Sequence, residues 1–132
     1  VNAYYHPFRN VIVFPAAILQ APFYSLEQSS SANYGGIGAV IAHEISHAFD
    51  NNGALFDEYG NLNNWWTEED LTQFQNKAQA MIEEFDGLPF ADGKVNGKLT
   101  VSENIADAGG LSCALEAAKT ESDLSIEEFF IK

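Results

Sequence analysis

The chain has 132 residues, a formal net charge of -13, an apolar fraction of 46% and one cysteine. This length and apolar fraction are sufficient for one compact domain with a core. Only six residues are lysine or arginine. A nucleic-acid partner is therefore not expected, because neutralising phosphates takes clustered basic residues. One cysteine cannot form an internal disulfide, and no apolar run approaches the roughly 20 residues of a membrane-spanning helix.

Two short strands are predicted at the start of the chain, at residues 1–5 and 11–14, joined by a turn through residues 6–10. Residues 16–20 are expected to form a helical turn. The polar run at residues 25–33 predicts a loop.

Two long helices are predicted in the middle of the chain. Apolar residues at helical spacing predict a mostly buried helix over residues 37–50, approached tightly through Gly35 and Gly36. Thr67, followed by three acidic residues, is a favourable N-cap for a second helix that ends near Gly87.

A loop or hairpin is predicted at residues 88–97, before a third helix. Thr100 or Ser102 is expected to open this helix, which runs to about Lys119 with an interruption at residues 109–110.

The ends of the chain suggest a piece of a longer protein. The sequence begins with Val1 in a strand-like segment, and Ser125 with Glu128 predicts a capping box for a helix that stops at Lys132. Cys113 lies among small apolar residues and is expected to be a buried, inert thiol.

The most informative motif is the H-E-x-x-H pentad at residues 43–47. On a helix, residues i and i+4 lie on the same face, so His43 and His47 can bind one metal ion while Glu44 projects beside it. A chance pairing on a solvated helix is the alternative, and residue frequencies make it rare. The motif is typical of zinc peptidases.

Two histidines leave a catalytic zinc short of a third protein ligand. His6 is one candidate, although its place on a turn is more typical of a surface histidine. Glu103 is the better candidate, with Asp107 one helical turn later able to accept the second N–H of a ligand imidazole. Glu103 could alternatively belong to a capping box with Thr100. The glycines at 109–110 would allow another backbone to approach closely.

Several segments together resemble the neprilysin family (M13) of zinc metallopeptidases. They occur in the family's order and cover most of the chain: residues 1–5 (VNAYY), 13–16 (VFPA), 33–38 (NYGGIG), 43–50 (HEISHAFD), 65–66 (WW) and 103–107 (ENIAD).

The resemblance implies an α+β, mainly α, zincin-like (thermolysin-like) core with an N-terminal β-hairpin, an active-site helix and further helices. Residues 1–132 would then be a partial catalytic domain. The family's helical lid domain would precede Val1, and the histidine and arginine that stabilise the oxyanion would follow Lys132.

The resemblance also assigns roles to individual residues. One Zn²⁺ per chain is bound by His43, His47 and Glu103, and Glu44 is the general base that takes a proton from water. Asp107 orients His43 and belongs to the catalytic residues that the resemblance implies. Asp50 supports His47, although it could also be a helix-end cap.

For the substrate, the resemblance implies that Asn2 and Ala3 form an edge strand that pairs with the peptide backbone. Ile18, Phe23 and Val40 would line the pocket for the side chain after the scissile bond, which suits large apolar residues. From the residues alone, all three would be taken as simple core residues.

The expected function is zinc-dependent hydrolysis of short peptides on the amino side of large apolar residues. An inactive peptide-binding fragment or pseudo-enzyme domain that retains zinc is the alternative, and a structural zinc site is disfavoured because such sites prefer cysteines. The expected partners are short peptides and the remainder of the same polypeptide, without nucleic acid or a membrane segment. A cytoplasmic location is expected, with an extracellular or cell-surface location as the alternative.

Overall fold

The computed structural model describes residues 1–131, which form five α-helices and two small antiparallel sheets. The predicted α+β, mainly helical fold is confirmed. The first sheet pairs strand β1 (Tyr4–His6) with strand β2 (Val11–Val13). The predicted first strand begins too early, because β2 ends before Pro15 and leaves residues 1–3 without a ladder partner.

The active-site helix begins earlier than predicted. Helix α1 (Ser30–Asn33) continues through a wide helical turn (Tyr34–Gly38) into helix α2 (Ala39–Ser46), and a tighter turn (His47–Phe49) follows. The side chain of Ser29 caps α1 by accepting a hydrogen bond from a backbone amide. The polar run predicted as a loop therefore contains the first turn of the helix. The glycines predicted to precede the helix lie inside it.

The prediction that this helix is mostly buried is wrong. Only the face of α2 toward the other helices is covered within residues 1–131, and Glu44 is its one fully buried residue. The large apolar side chains of Ile41, Ile45 and Phe49 are exposed. Their spacing places them together on one face of the helix.

The central helix α3 (Glu68–Phe85) follows the prediction, with Thr67 as its N-cap accepting from a backbone amide. Beyond it, strands β3 (Pro89–Phe90) and β4 (Gly93–Lys94) form the second hairpin. The hairpin returns the chain toward α3.

Helix α4 (Gly97–Ala118) is longer than predicted. It is capped by Asn96 rather than opened by Thr100 or Ser102, and the glycines at 109–110 do not interrupt it. The last helix, α5 (Ile126–Ile131), begins where predicted. No helix of residues 1–131 combines the length and apolar character needed to cross a bilayer.

Cys113 is exposed on α4, contrary to the expectation of a buried thiol. The buried residues of that stretch are the small ones four apart, at Gly110, Ala114 and Ala118, and Cys113 lies off this face.

Two small apolar clusters hold the elements together. One joins the N-terminal segment and the short turn Ala16–Ile18 to the wide helical turn before α2, through Ala3, Ile18 and Ile37. The other packs α5 against α4, through Ala114, Ala118 and Phe129. The main helix contact is α2 against α4, and it brings the pentad to the second sequence motif.

Candidate active site

The two histidines of the pentad lie one helical turn apart at the carboxyl end of α2. Their ring centroids are 4.6 Å apart, and the Nε2 atoms of His43 and His47 approach to 3.0 Å. Both rings therefore present the same nitrogen to one point.

Glu103 from α4 reaches that same point. Its carboxylate oxygens lie 3.3 Å from Nε2 of His43 and 3.5 Å from Nε2 of His47. A zinc ion bound tetrahedrally at about 2.0–2.2 Å places its ligand atoms about 3.3 Å apart. The separation of the two Nε2 atoms, and that of each Nε2 atom from its nearer Glu103 oxygen, are close to this spacing.

The hydrogen bonds behind the rings also favour a cation. Nδ1 of His43 is 2.8 Å from Asp107 Oδ1, and Nδ1 of His47 is 2.6 Å from Asp50 Oδ2. A carboxylate only accepts, so each Nδ1 carries the proton and each neutral ring presents a bare Nε2. Two such lone pairs and a carboxylate then converge without a proton between them, and this donor set suits Zn²⁺.

The two supporting aspartates differ in their surroundings. Asp50 is 3% exposed, and its Oδ1 also accepts from the backbone amides of Asn52 and Gly53, each at 2.7 Å. The Asp107 side chain is 73% exposed and bonds only to His43 among the described residues. Asp50 thus holds both the backbone that follows the helix end and the ring of His47.

The hydrogen bond that Nδ1 of His47 donates to Asp50 raises the pKa of His47 above its ordinary value of 6.5. Partial desolvation opposes the shift, and the negative charges of Glu103, Asp50 and Glu44 add to it. Without a metal, the ring therefore holds a proton more readily than an isolated histidine does. That proton would compete with a metal ion for Nε2.

Glu44 lies beside the cradle formed by His43, His47 and Glu103. It is 5% exposed, and one of its oxygens lies within 4.8 Å of a ring nitrogen of each histidine. Among the described residues, no group donates a hydrogen bond to its carboxylate. Glu103 is the closer carboxylate to both Nε2 atoms, and Glu44 lies farther from them.

The sequence left open whether His6 is a metal ligand and whether Glu103 caps a helix, and the positions of both residues bear on these alternatives. His6 does not line the cleft at the histidine pair, and its Nδ1 is buried without a partner. Glu103 is the seventh residue of α4, so it is not part of a capping box with Thr100.

Two cavities meet at His43 and Glu44. One, of about 410 Å³, is lined by Asn2 and Ala3 together with all three residues of the cradle. The other, of about 500 Å³, is lined by the remaining predicted substrate residues, Ile18, Phe23 and Val40, next to Glu44. Ile18 lines this cavity and is also a buried core residue.

Several lining residues had no signal in the sequence. Tyr5, Asn52 and Ser102 face the first cavity, and Leu111 faces the second. Ser102 adjoins Glu103 and Leu111 lies one turn after Asp107, but neighbours of a motif are too common to single out.

A family model described as "Peptidase family M13" matches residues 2–130. The chain therefore belongs to peptidase family M13. The neprilysin-family resemblance seen in the motifs is confirmed by this match.

Relatives support the M13 assignment in sequence and in structure. A protein of Lactococcus lactis subsp. cremoris named neutral endopeptidase is 68% identical over 130 residues, covering 98% of this chain and 21% of its own length. A crystal structure of PepO from Lactobacillus rhamnosis superposes with a TM-score of 0.88 at 52% identity, over 98% of this chain and 20% of that one. A crystal structure of the Mycobacterium tuberculosis zinc metalloprotease Zmp1 with an inhibitor gives a TM-score of 0.87 at 50% identity. The match covers 90% of this chain and 19% of that one. The chain thus spans about a fifth of the length of these M13 proteins.

Proposed function

We propose that this chain is part of the catalytic domain of a zinc-dependent endopeptidase that cleaves short peptides on the amino side of large apolar residues. The observation that carries the proposal is the cradle of two Nε2 atoms and one carboxylate, separated by 3.0, 3.3 and 3.5 Å. Membership of a peptidase family supports the same conclusion.

In this proposal His43, His47 and Glu103 hold one zinc ion per chain. When bound, the ion would acidify a water molecule and polarise the substrate carbonyl. Asp107 and Asp50 keep the Nδ1 proton on each ring, so that both Nε2 atoms stay available.

Glu44 acts as the general base. Its carboxylate faces the cleft beside both histidines, accepts the proton of the attacking water and delivers it to the leaving amine. Its burial excludes bulk water from one side and keeps the carboxylate pointed at the reacting atoms.

Substrate would lie along the N-terminal segment. Asn2 lines both cavities, so it is well placed to hold the peptide backbone where the substrate passes from one cavity to the other. Ala3 follows it toward β1. The side chain after the scissile bond would enter the cavity of about 500 Å³ between Ile18, Phe23 and Val40. An apolar lining of this size favours a large apolar side chain.

The remainder of the polypeptide would pack against this chain. The exposed apolar side chains of Ile41, Ile45 and Phe49 share one face of the active-site helix. Exposed apolar patches usually mark a contact with another segment or protein. The activity of the whole protein is therefore expected to exceed that of residues 1–132, which alone would bind zinc weakly to moderately and cleave poorly or not at all.

The test replaces Glu44 by glutamine in the intact protein. Zinc content should stay at one per chain, because the ligands remain, while peptide hydrolysis falls by about 100-fold or more. Glu84→Gln, at an exposed position on α3, is the matched control and should leave both unchanged. Full hydrolysis by the Glu44 variant would remove the base from the mechanism.

A second variant tests the ligand set. Glu103→Ala should weaken zinc binding in a chelator competition, because it removes the third ligand. Zinc affinity indifferent to Glu103, or a parent protein that binds no zinc, would overturn the proposed site.

A further inference from the structure

Each histidine of the cradle has a glycine pressed against its own backbone. A Cβ atom added to Gly110 would lie 2.6 Å from the amide nitrogen of His43 and 2.7 Å from its Cα. A Cβ atom added to Gly53 would collide with the carbonyl oxygen of His47. These neighbours are backbone atoms, so no side chain can move aside to make room.

Gly110 lies at the contact between the two motif-bearing helices, α2 and α4. It lies on α4 three residues after Asp107 and seven after Glu103, so all three share one face of the helix. Where Gly110 faces His43, α4 lies too close to the backbone of α2 for a Cβ atom to fit between them. That approach allows the short side chain of Asp107 to reach Nδ1 of His43 at 2.8 Å.

Gly53 plays the equivalent part for the second ring. Its amide donates to Asp50 Oδ1 at 2.7 Å, and the other oxygen of Asp50 holds Nδ1 of His47 at 2.6 Å. The φ angle of Gly53 is outside the left-handed region, so any residue could adopt its backbone conformation. Space is therefore what restricts this position to glycine.

We propose that Gly110 and Gly53 are positioning residues of the metal site, each placing one histidine and its aspartate by close backbone packing. The inference rests on the proposed zinc site and extends it to residues that touch neither metal nor substrate. An alanine at either position would force the neighbouring backbone to shift by about 1 Å, whereas the groups of a functional site tolerate a displacement of only about 0.5 Å.

The experiment compares Gly110→Ala and Gly53→Ala with the parent in the intact protein, with folding of each variant checked by circular dichroism. Zinc affinity is measured by chelator competition, and the site is loaded with Co²⁺ to record its visible absorption bands. Both variants should lose about 10- to 100-fold in zinc affinity, the range found when supporting residues of a metal site are changed. Their cobalt bands should shift, because the ligand geometry changes.

Two other glycines separate positioning from general stability. An alanine at Gly97 would also collide with backbone, that of Ile82 on α3, but it meets neither histidine. Gly97→Ala should lower the melting temperature while leaving the cobalt spectrum unchanged. Gly93 has no atom within 4 Å of an added Cβ, so Gly93→Ala should change neither.

A milder pair of variants tests the same helix spacing if Gly110→Ala does not fold. A Cβ at Gly109 would lie 2.7 Å from the hydroxyl oxygen of Ser46 on α2. Gly109→Ala should weaken zinc binding, and adding Ser46→Ala should restore it by removing the clashing oxygen.

The outcomes distinguish this inference from the function it rests on. Zinc affinity and cobalt spectra equal to the parent in Gly110→Ala and Gly53→Ala, or no rescue in the double variant, would overturn the positioning role alone. A parent protein without zinc would overturn both.

Discussion

Replacing Asp50 by asparagine tests whether the carboxylate behind His47 fixes the metal-binding form of the ring. Asp50 Oδ1 accepts two backbone amides at 2.7 Å, from Asn52 and Gly53. In the variant, the amide oxygen must stay toward these donors, which turns the NH₂ group toward Nδ1 of His47. Nδ1 then has to accept, so the ring proton moves to Nε2, the atom that faces the metal.

The magnitude follows from the bond that is lost. A hydrogen bond to a charged group contributes about 1.5–3 kcal/mol, and about 1.4 kcal/mol corresponds to a tenfold change in affinity. Zinc should therefore bind about 10- to 100-fold more weakly. The metal-free fold should lose only about 1 kcal/mol, because the two backbone bonds to residue 50 remain.

The assay is chelator competition for zinc beside urea unfolding of the metal-free intact protein. Asp107→Asn is the matched control, because the exposed Asp107 has only His43 as a partner among the described residues. In Asp107→Asn the side-chain amide is free to turn its oxygen toward Nδ1 of His43, so a smaller loss of zinc affinity is expected. If Asp50→Asn bound zinc as tightly as the parent, or lost no more than Asp107→Asn, the tautomer argument would be refuted.

Further predictions concern pH and specificity. Because the pKa of His47 is raised above 6.5, zinc affinity should fall as the pH drops through that raised value, which a chelator titration at several pH values would detect. The stability of the metal-free protein should change in the opposite sense: the protonated ring stabilises the fold below pH 6.5, and this contribution is lost as the pH rises through the raised pKa. Val40→Phe should narrow the apolar cavity and lower kcat/KM by about 10-fold or more for peptides with a large residue after the scissile bond, relative to peptides with alanine there. Equal ratios for the two peptides would place the specificity pocket elsewhere.

The part of the site that follows from local spacing could be predicted. Residues four apart on a helix share a face, and this rule places His43 with His47 and Glu103 with Asp107 once each segment is assigned as helix. The rule does not say that the two pairs meet, because sixty residues separate them. The motif resemblance supplied that link, and the distances of 3.3 and 3.5 Å now support it.

Helix boundaries and burial were harder to predict, for identifiable reasons. Asn96, Thr100 and Ser102 are all good N-caps. Asn96 is used because Gly97 fits against α3, where Asp86 accepts its amide at 2.9 Å. Periodicity likewise identifies an apolar face on α2 but not the element that covers it, so the helix predicted to be mostly buried has an exposed Ile45.

The two glycines at residues 109–110, just after the second motif, link the sequence pattern to the spacing of α2 and α4. A pair of glycines within a helical pattern usually indicates an interruption, since each costs about 1 kcal/mol relative to alanine. Here α4 continues through them without a break. The cost is offset because the missing Cβ of Gly110 lets α4 rest on the backbone of His43, one turn beyond the aspartate that holds its ring. A residue unfavourable for its own helix is thus favourable for the distance between two helices, and that distance brings Glu103 to both Nε2 atoms.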